Sequence, residues 1–228
     1  RNCKSLDLVI NNTERNVTVG RNAFEGCKSV TWEIPDKEST GLQFEVSGTT
    51  AVVVKGDYSK LDSVFIPSKV KIDGSVYTVT GIANNAFSNY KNLTCVNVSE
   101  GVTNMGIATF SYCENLESVV LGEGIEKISS SLFNGCASLS DINIPASVTE
   151  IDGSAFEGCA SLASIDIPAN VTNIVEYAFY GCKNLASINV DDKNTTYASV
   201  DGVLYNKEKT ILIQAPCKIQ GVFTIPSG

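Results

Sequence analysis

The side chains able to do chemistry in this chain are cysteines, carboxylates and amides, because its 228 residues include no histidine. That absence removes Ser-His-Asp and Cys-His catalysis, HExxH zinc sites and imidazole proton shuttling together. Eight cysteines remain. Six of them, Cys3, Cys27, Cys113, Cys136, Cys159 and Cys182, recur in one context, so stacked units would hold them in a column with roughly 5 Å between neighbours. A disulfide tolerates that Cα spacing, yet equivalent rotamers point the same way, and Tyr90 stands where another column cysteine would be. The column therefore reads as buried thiols serving as small apolar groups. Disulfide staples are the alternative, and a metal site is disfavoured because no C-x-x-C pair occurs. Cys95 and Cys217 lie off the column; Cys95, at an outward strand position, reads as an exposed, oxidisable thiol with no base to activate it.

Whether any of these groups meet depends on how the chain repeats. Phe87, Phe110, Phe133, Phe156 and Phe179 are each 23 residues apart. Six places after each comes Leu93, Leu116, Leu139, Leu162 or Leu185, and then an alternating pair: Val96/Val98, Val119/Leu121, Ile142/Ile144, Ile165/Ile167 or Ile188/Val190. Val102, Ile125, Val148 and Val171, with Met105, Ile128, Ile151 and Ile174, complete a unit written L-x-x-I-x-I-P-x-x-V-x-x-I-x-x-x-A-F-x-x-C-x-x. Its alternating end predicts a short strand buried on one side, stopped by Gly122, Pro145 or Pro168. A 23-residue unit cannot bury these side chains alone; stacked copies can, and the result is a solenoid.

The outward strand positions then line one face: Cys95/Asn97, Ser118/Val120, Asp141/Asn143, Ser164/Asp166 and Ser187/Asn189. Adjacent strands set Asn143 beside Asp166, with Asp141 on the diagonal. Asn97, Ser118, Asp141, Asn143, Ser164, Asp166, Ser187 and Asn189 are accordingly the candidate binding residues. Paired catalytic acids need a cleft that raises one pKa, and an open sheet face offers none, so no catalytic residue, metal ligand or cofactor is expected. Asp191-Asp192 followed by Asn194 supplies oxygen ligands without calcium-loop spacing.

The chain carries 25 acidic and 17 basic residues, a net charge of −8, without the basic stripe that nucleic-acid binding requires. No run of about 18 apolar residues could cross a bilayer. Residues 1–35 read as N-terminal partial repeats, 36–60 as an inserted hairpin region, 61–190 as regular repeats, and 191–228 as a further hairpin and the start of another repeat. Within these, Leu42–Val46 and Thr50–Val54 flank a glycine turn, Asp73-Gly74 marks a second hairpin, and Val203–Tyr205 and Ile211–Ile213 flank a third. Cys3-Lys4-Ser5-Leu6 and Ala23-Phe24 begin the pattern in mid-repeat, while Phe223-Thr224-Ile225-Pro226 starts a strand that is cut off, as expected for a piece of a longer protein. The N-x-S/T triplets at Asn11, Asn16, Asn92, Asn97, Asn170 and Asn194 read as composition. Trp32 reads as core, whereas Tyr58, Tyr77, Tyr197 and Tyr205 in the inserted regions are available as surface aromatics.

The unit Ile144-Pro145 through Ala155-Phe156, Cys159 and Leu162 resembles the BspA-like, Treponema pallidum-type leucine-rich repeats of bacterial surface proteins. Ser199-Val200-Asp201-Gly202-Val203-Leu204-Tyr205-Asn206 is similar to a segment that interrupts such arrays. The resemblance implies a strand-rich α/β repeat solenoid, a right-handed leucine-rich-repeat horseshoe, exported and displayed at the cell surface. It names no binding residues, since the motif is made of core positions. The expected function is a non-catalytic, adhesion-type module that binds a protein partner of host or bacterial origin. A rigid stalk presenting another domain is the alternative, and a glycoside hydrolase using Asp141 and Asp166 is a further one.

Overall fold

The alternation in each repeat becomes a strand, and its period of 23 becomes the register. The computed structural model describes residues 8–9, 30–31 and 34–219. Strands Ser63–Ile66, Cys95–Val98, Ser118–Val120 and Asp141–Asn143 form a parallel sheet in which Val64, Val96, Val119 and Ile142 stand in line. Ser164–Ile167 and Ser187–Val190 form a second parallel pair, Ile165 opposite Ile188. No ladder joins Asp141–Asn143 to Ser164–Ile167, so the hydrogen-bonded sheet is interrupted there. Lys127–Ile128, Glu150–Ile151 and Asn173–Ile174 make a shorter parallel ladder. Among the described residues the helical contribution is one turn, Lys37–Thr40.

The five repeat phenylalanines are at most 1% exposed and stack face to face, with centroids 5.4, 5.8, 5.5 and 5.6 Å apart. Tyr58 caps that stack at 4.7 Å from Phe87. Its hydroxyl donates to Val54 O and accepts from Gln43 N. Tyr58 is therefore core, as are Tyr197 and Tyr205, and Tyr77 is half-buried. The expectation of surface tyrosines here fails because the inserted hairpins fold onto the array, where an aromatic ring gains more from burial than from water.

Each corner around a phenylalanine needs left-handed backbone. Two residues before the ring, Asn85, Ala108, Ser131, Ser154 and Tyr177 have φ between 55° and 64°; two residues after it, Asn89, Tyr112, Gly135, Gly158 and Gly181 have φ between 58° and 73°. Small residues, Asn and Gly dominate these positions because a Cβ is disfavoured there. Gly135 has a second reason: the Tyr112 ring covers it so closely that a Cβ would come within 2.6 Å.

The insertions are antiparallel and are fastened to the coils. Gln43–Ser47 pairs with Thr50–Val54, which continues parallel onto Ser75–Ile82. Lys69–Ile72 turns through Asp73-Gly74 into Ser75–Ile82. Tyr197–Val200, Val203–Asn206 and Leu212–Gln214 form a three-stranded unit, one strand more than the turn signals at Asn206–Thr210 suggest. Fully buried Asn194 ties this unit down: its amide donates to Pro168 O and Val171 O at 2.9 Å, and its carbonyl accepts from Thr196 N and Tyr197 N. Cys3-Leu6, Ala23-Phe24, Cys27, Trp32 and Phe223-Ile225 lie outside the described residues.

Candidate functional site

The strand period fixes which residues face outward. Ser118 and Ser187 are half-buried, while Asp141, Asn143, Ser164, Asp166 and Asn189 are exposed and Asn97 is half-buried. Register places Ser118 beside Asp141, Asn143 beside Val120, and Asp166 beside Asn189. The Asn189 amide donates to the Asp166 carboxylate at 2.7 Å. No ladder joins the strands of Asn143 and Asp166, yet both line one open depression of about 460 Å³ with Glu123, Asn189 and Asp191. Asp141 is not among the residues that line it. This face is polar, acidic and carries no basic side chain at the outward strand positions. It suits hydrogen bonding to a partner with basic groups.

The cysteines divide sharply. Cys113, Cys136, Cys159 and Cys182 are free and completely buried. Each thiol donates to the carbonyl of the phenylalanine one coil back: Phe87, Phe110, Phe133 and Phe156, at 3.0–3.2 Å. Burial pushes the Cys113 and Cys182 thiols up to about 12, and Cys136 and Cys159 well above their usual range. These thiols stay protonated and join coils as donors. Cys95 corrects the sequence expectation: it is 7% exposed and disulfide-bonded, not an open thiol. Strand alternation tells which face a residue takes, and does not tell what covers that face.

Among the described residues, no three His, Cys, Asp or Glu side chains gather as a metal-binding group. Asn194, considered as an oxygen ligand, spends its amide on the four backbone contacts above. No helix of the described residues is long and apolar enough to cross a membrane. Among the described residues the exposed aromatics are Tyr112, Tyr177 and Tyr180, 51%, 62% and 62% exposed. They sit at the corners, where the sequence reading did not look; the signal was there in Tyr177 and Tyr180 replacing the small or polar residues of earlier units.

Parallel strands at a 23-residue period, a phenylalanine stack and a thiol ladder define a leucine-rich-repeat solenoid. The model of the BspA-type leucine-rich repeat region matches six copies over residues 80–201, and the chain belongs to that family. Among solved structures it is similar to a T. pallidum leucine-rich repeat protein, at 29% identity over 64% of this chain and 67% of that one, TM-score 0.58. It is also similar to a leucine-rich repeat protein of Eubacterium ventriosum, at 27% identity over 79% of this chain and 48% of that one, TM-score 0.61. The pneumococcal vaccine antigen PcpA shares the fold at 21% identity, over 81% of this chain and 56% of that one, TM-score 0.62. The chain thus spans about half to two thirds of these proteins. Among curated proteins, none matches.

Proposed function

We propose that this segment is a non-catalytic protein-binding module of an exported bacterial surface protein, with adhesion to a host or bacterial protein as its role. The observation that carries the reading is the row of outward strand residues: Asp141, Asn143, Ser164, Asp166 and Asn189 are exposed on strands whose inner side chains are locked in the core. A solenoid offers such a surface already ordered, so binding loses little conformational entropy. Family membership supports surface display. The acidic face and the net charge of −8 favour a partner with a basic patch.

Reversing charge at the centre of the face tests this. Asp141→Lys with Asp166→Lys should weaken binding to host epithelial or bacterial cells at least about tenfold, the loss expected when like charges meet across an interface. Unchanged binding, with unchanged thermal unfolding, would leave a stalk as the better account.

A further inference from the structure

The corners of this array are hydrogen-bonded in series. The N–H groups of Phe87, Phe110, Phe133 and Phe156 donate to the carbonyls of Thr109, Leu132, Ala155 and Ala178 at 2.8–3.0 Å. Two residues on, Asn89, Tyr112, Gly135 and Gly158 donate to Ser111, Asn134, Glu157 and Tyr180 at 2.6–2.8 Å. At the fifth corner the series stops. Among the described residues no carbonyl accepts from the N–H of Phe179 or Gly181.

The turn that follows is nevertheless in place. The Tyr197 hydroxyl accepts from Ile174 N at 2.9 Å, Gly202 O accepts from Ile188 N at 2.8 Å, and Lys218 N donates to Leu185 O at 2.9 Å. That turn devotes its middle to the three-stranded unit instead of a corner. A notch of about 390 Å³ stands where the corner would be, floored by Val175, Tyr177 and Tyr180 and walled by Ile213 and Gln214. The sequence departs from the repeat at the same spot. Tyr177 replaces Asn85, Ala108, Ser131 and Ser154, and Tyr180 replaces Ser88, Ser111, Asn134 and Glu157. Tyr177 holds φ at 64°, a strained choice for a ring-bearing residue, and both rings stay 62% exposed, edge to face at 6.0 Å.

We propose that this notch docks an extended segment of a partner protein. The segment's carbonyls take the N–H groups of Phe179 and Gly181, and its apolar side chains lie on Tyr177 and Tyr180. Donors two residues apart match the spacing of carbonyls along a peptide, as every earlier corner demonstrates, and this is backbone addition with side-chain anchoring. In a second copy the corner carbonyls from Thr109 to Tyr180 are already committed, and the first corner lies under Tyr58, which stacks on Phe87 at 4.7 Å, so the occupant is a tail or loop without pairing of its own. Glu176 is the one charged residue lining the notch, which favours a neutral or basic segment. The inference rests on the protein-binding reading but uses a different surface.

The probe is a capped peptide copying residues 128–135, whose Leu132 and Asn134 carbonyls play this part in the fold. Residue-resolved amide exchange should show Phe179 and Gly181 exchanging at least about 100-fold faster than Phe156 and Gly158 in the free protein. Adding the peptide should slow both, and Tyr177→Asn with Tyr180→Ser, which restores the residue types of earlier corners, should weaken peptide binding about tenfold without loss of fold. The Asp141→Lys, Asp166→Lys variant should bind the peptide unchanged, so failure of the strand-face reading and failure of this one are separable. Equal protection of Phe179 and Phe156 in the free chain, or no slowing by the peptide, would overturn the proposal. Maltotriose perturbing the two tyrosines without protecting the amides would overturn it in favour of a sugar site.

Discussion

A cysteine whose thiol is buried and donates to a carbonyl is a structural group with a titration. Cys113 and Cys182 ionise at about 12 in the fold against a usual 9.0, because burial penalises the thiolate. A group raised in this way gives its full contribution below pH 9 and loses it as pH climbs through 12, since the unfolded chain releases its proton first. Stability should therefore fall between those values by up to ~1.4 kcal/mol per pH unit for each buried thiol. Urea unfolding from pH 8 to 11 checks this, and Cys136→Ala should flatten the slope; a pH-independent midpoint would refute it. Alkylation at pH 8 should mark Cys217, the one exposed free cysteine among the described residues, well before the four buried ones. At this scale the sequence was legible where the period spoke: the column position reads as buried, and its four described cysteines are free and inside. It was silent on the disulfide of Cys95, which strand alternation does not encode.

At the scale of elements, strand, corner and insertion are set by different signals. Strands followed from alternation and stop signals, and hairpins from Gly48 and Asp73-Gly74. The further strand, Tyr197–Val200, carries the same signal, an Asp201-Gly202 turn, but its own Tyr-Ala-Ser-Val has a single large aliphatic residue and no apolar alternation to mark it. The left-handed corner positions were written in the sequence as Asn, Ser, Ala and Gly at fixed places, a pattern visible only once φ explains it. Asn194 shows how an insertion is fixed to the array: one amide satisfies two carbonyls of the preceding coil and two N–H groups of its own turn. Asn194→Ala would remove all four contacts, two of them fully buried, at Val171 O and Tyr197 N, and should cost about 2–4 kcal/mol, the sum expected for two or more lost buried hydrogen bonds. Chemical denaturation measures it; a cost below about 0.5 kcal/mol would mean that water replaces the amide without penalty.

For the whole molecule, stability is a property of neighbours. Each coil touches the one before and the one after, so the array behaves as a one-dimensional chain of coupled units. Phe133 lies in the middle of the ring stack, 5.8 Å from Phe110 and 5.5 Å from Phe156, whereas Phe179 has one stacked phenylalanine. Removing either ring empties a packed site, at about 3–5 kcal/mol. The consequences should differ by position. Phe133→Ala interrupts coupling between two halves and should broaden urea unfolding into a less cooperative transition, with amides of both flanking coils losing protection together. Phe179→Ala should leave the coils up to Phe133 as protected as before, because its loss reaches them through only one interface. Equal effects of the two substitutions on every coil would show that the array folds as one all-or-none unit. In that case the notch at Tyr177 and Tyr180 would share the stability of the core, whereas near-neighbour coupling lets it order independently when a partner segment arrives.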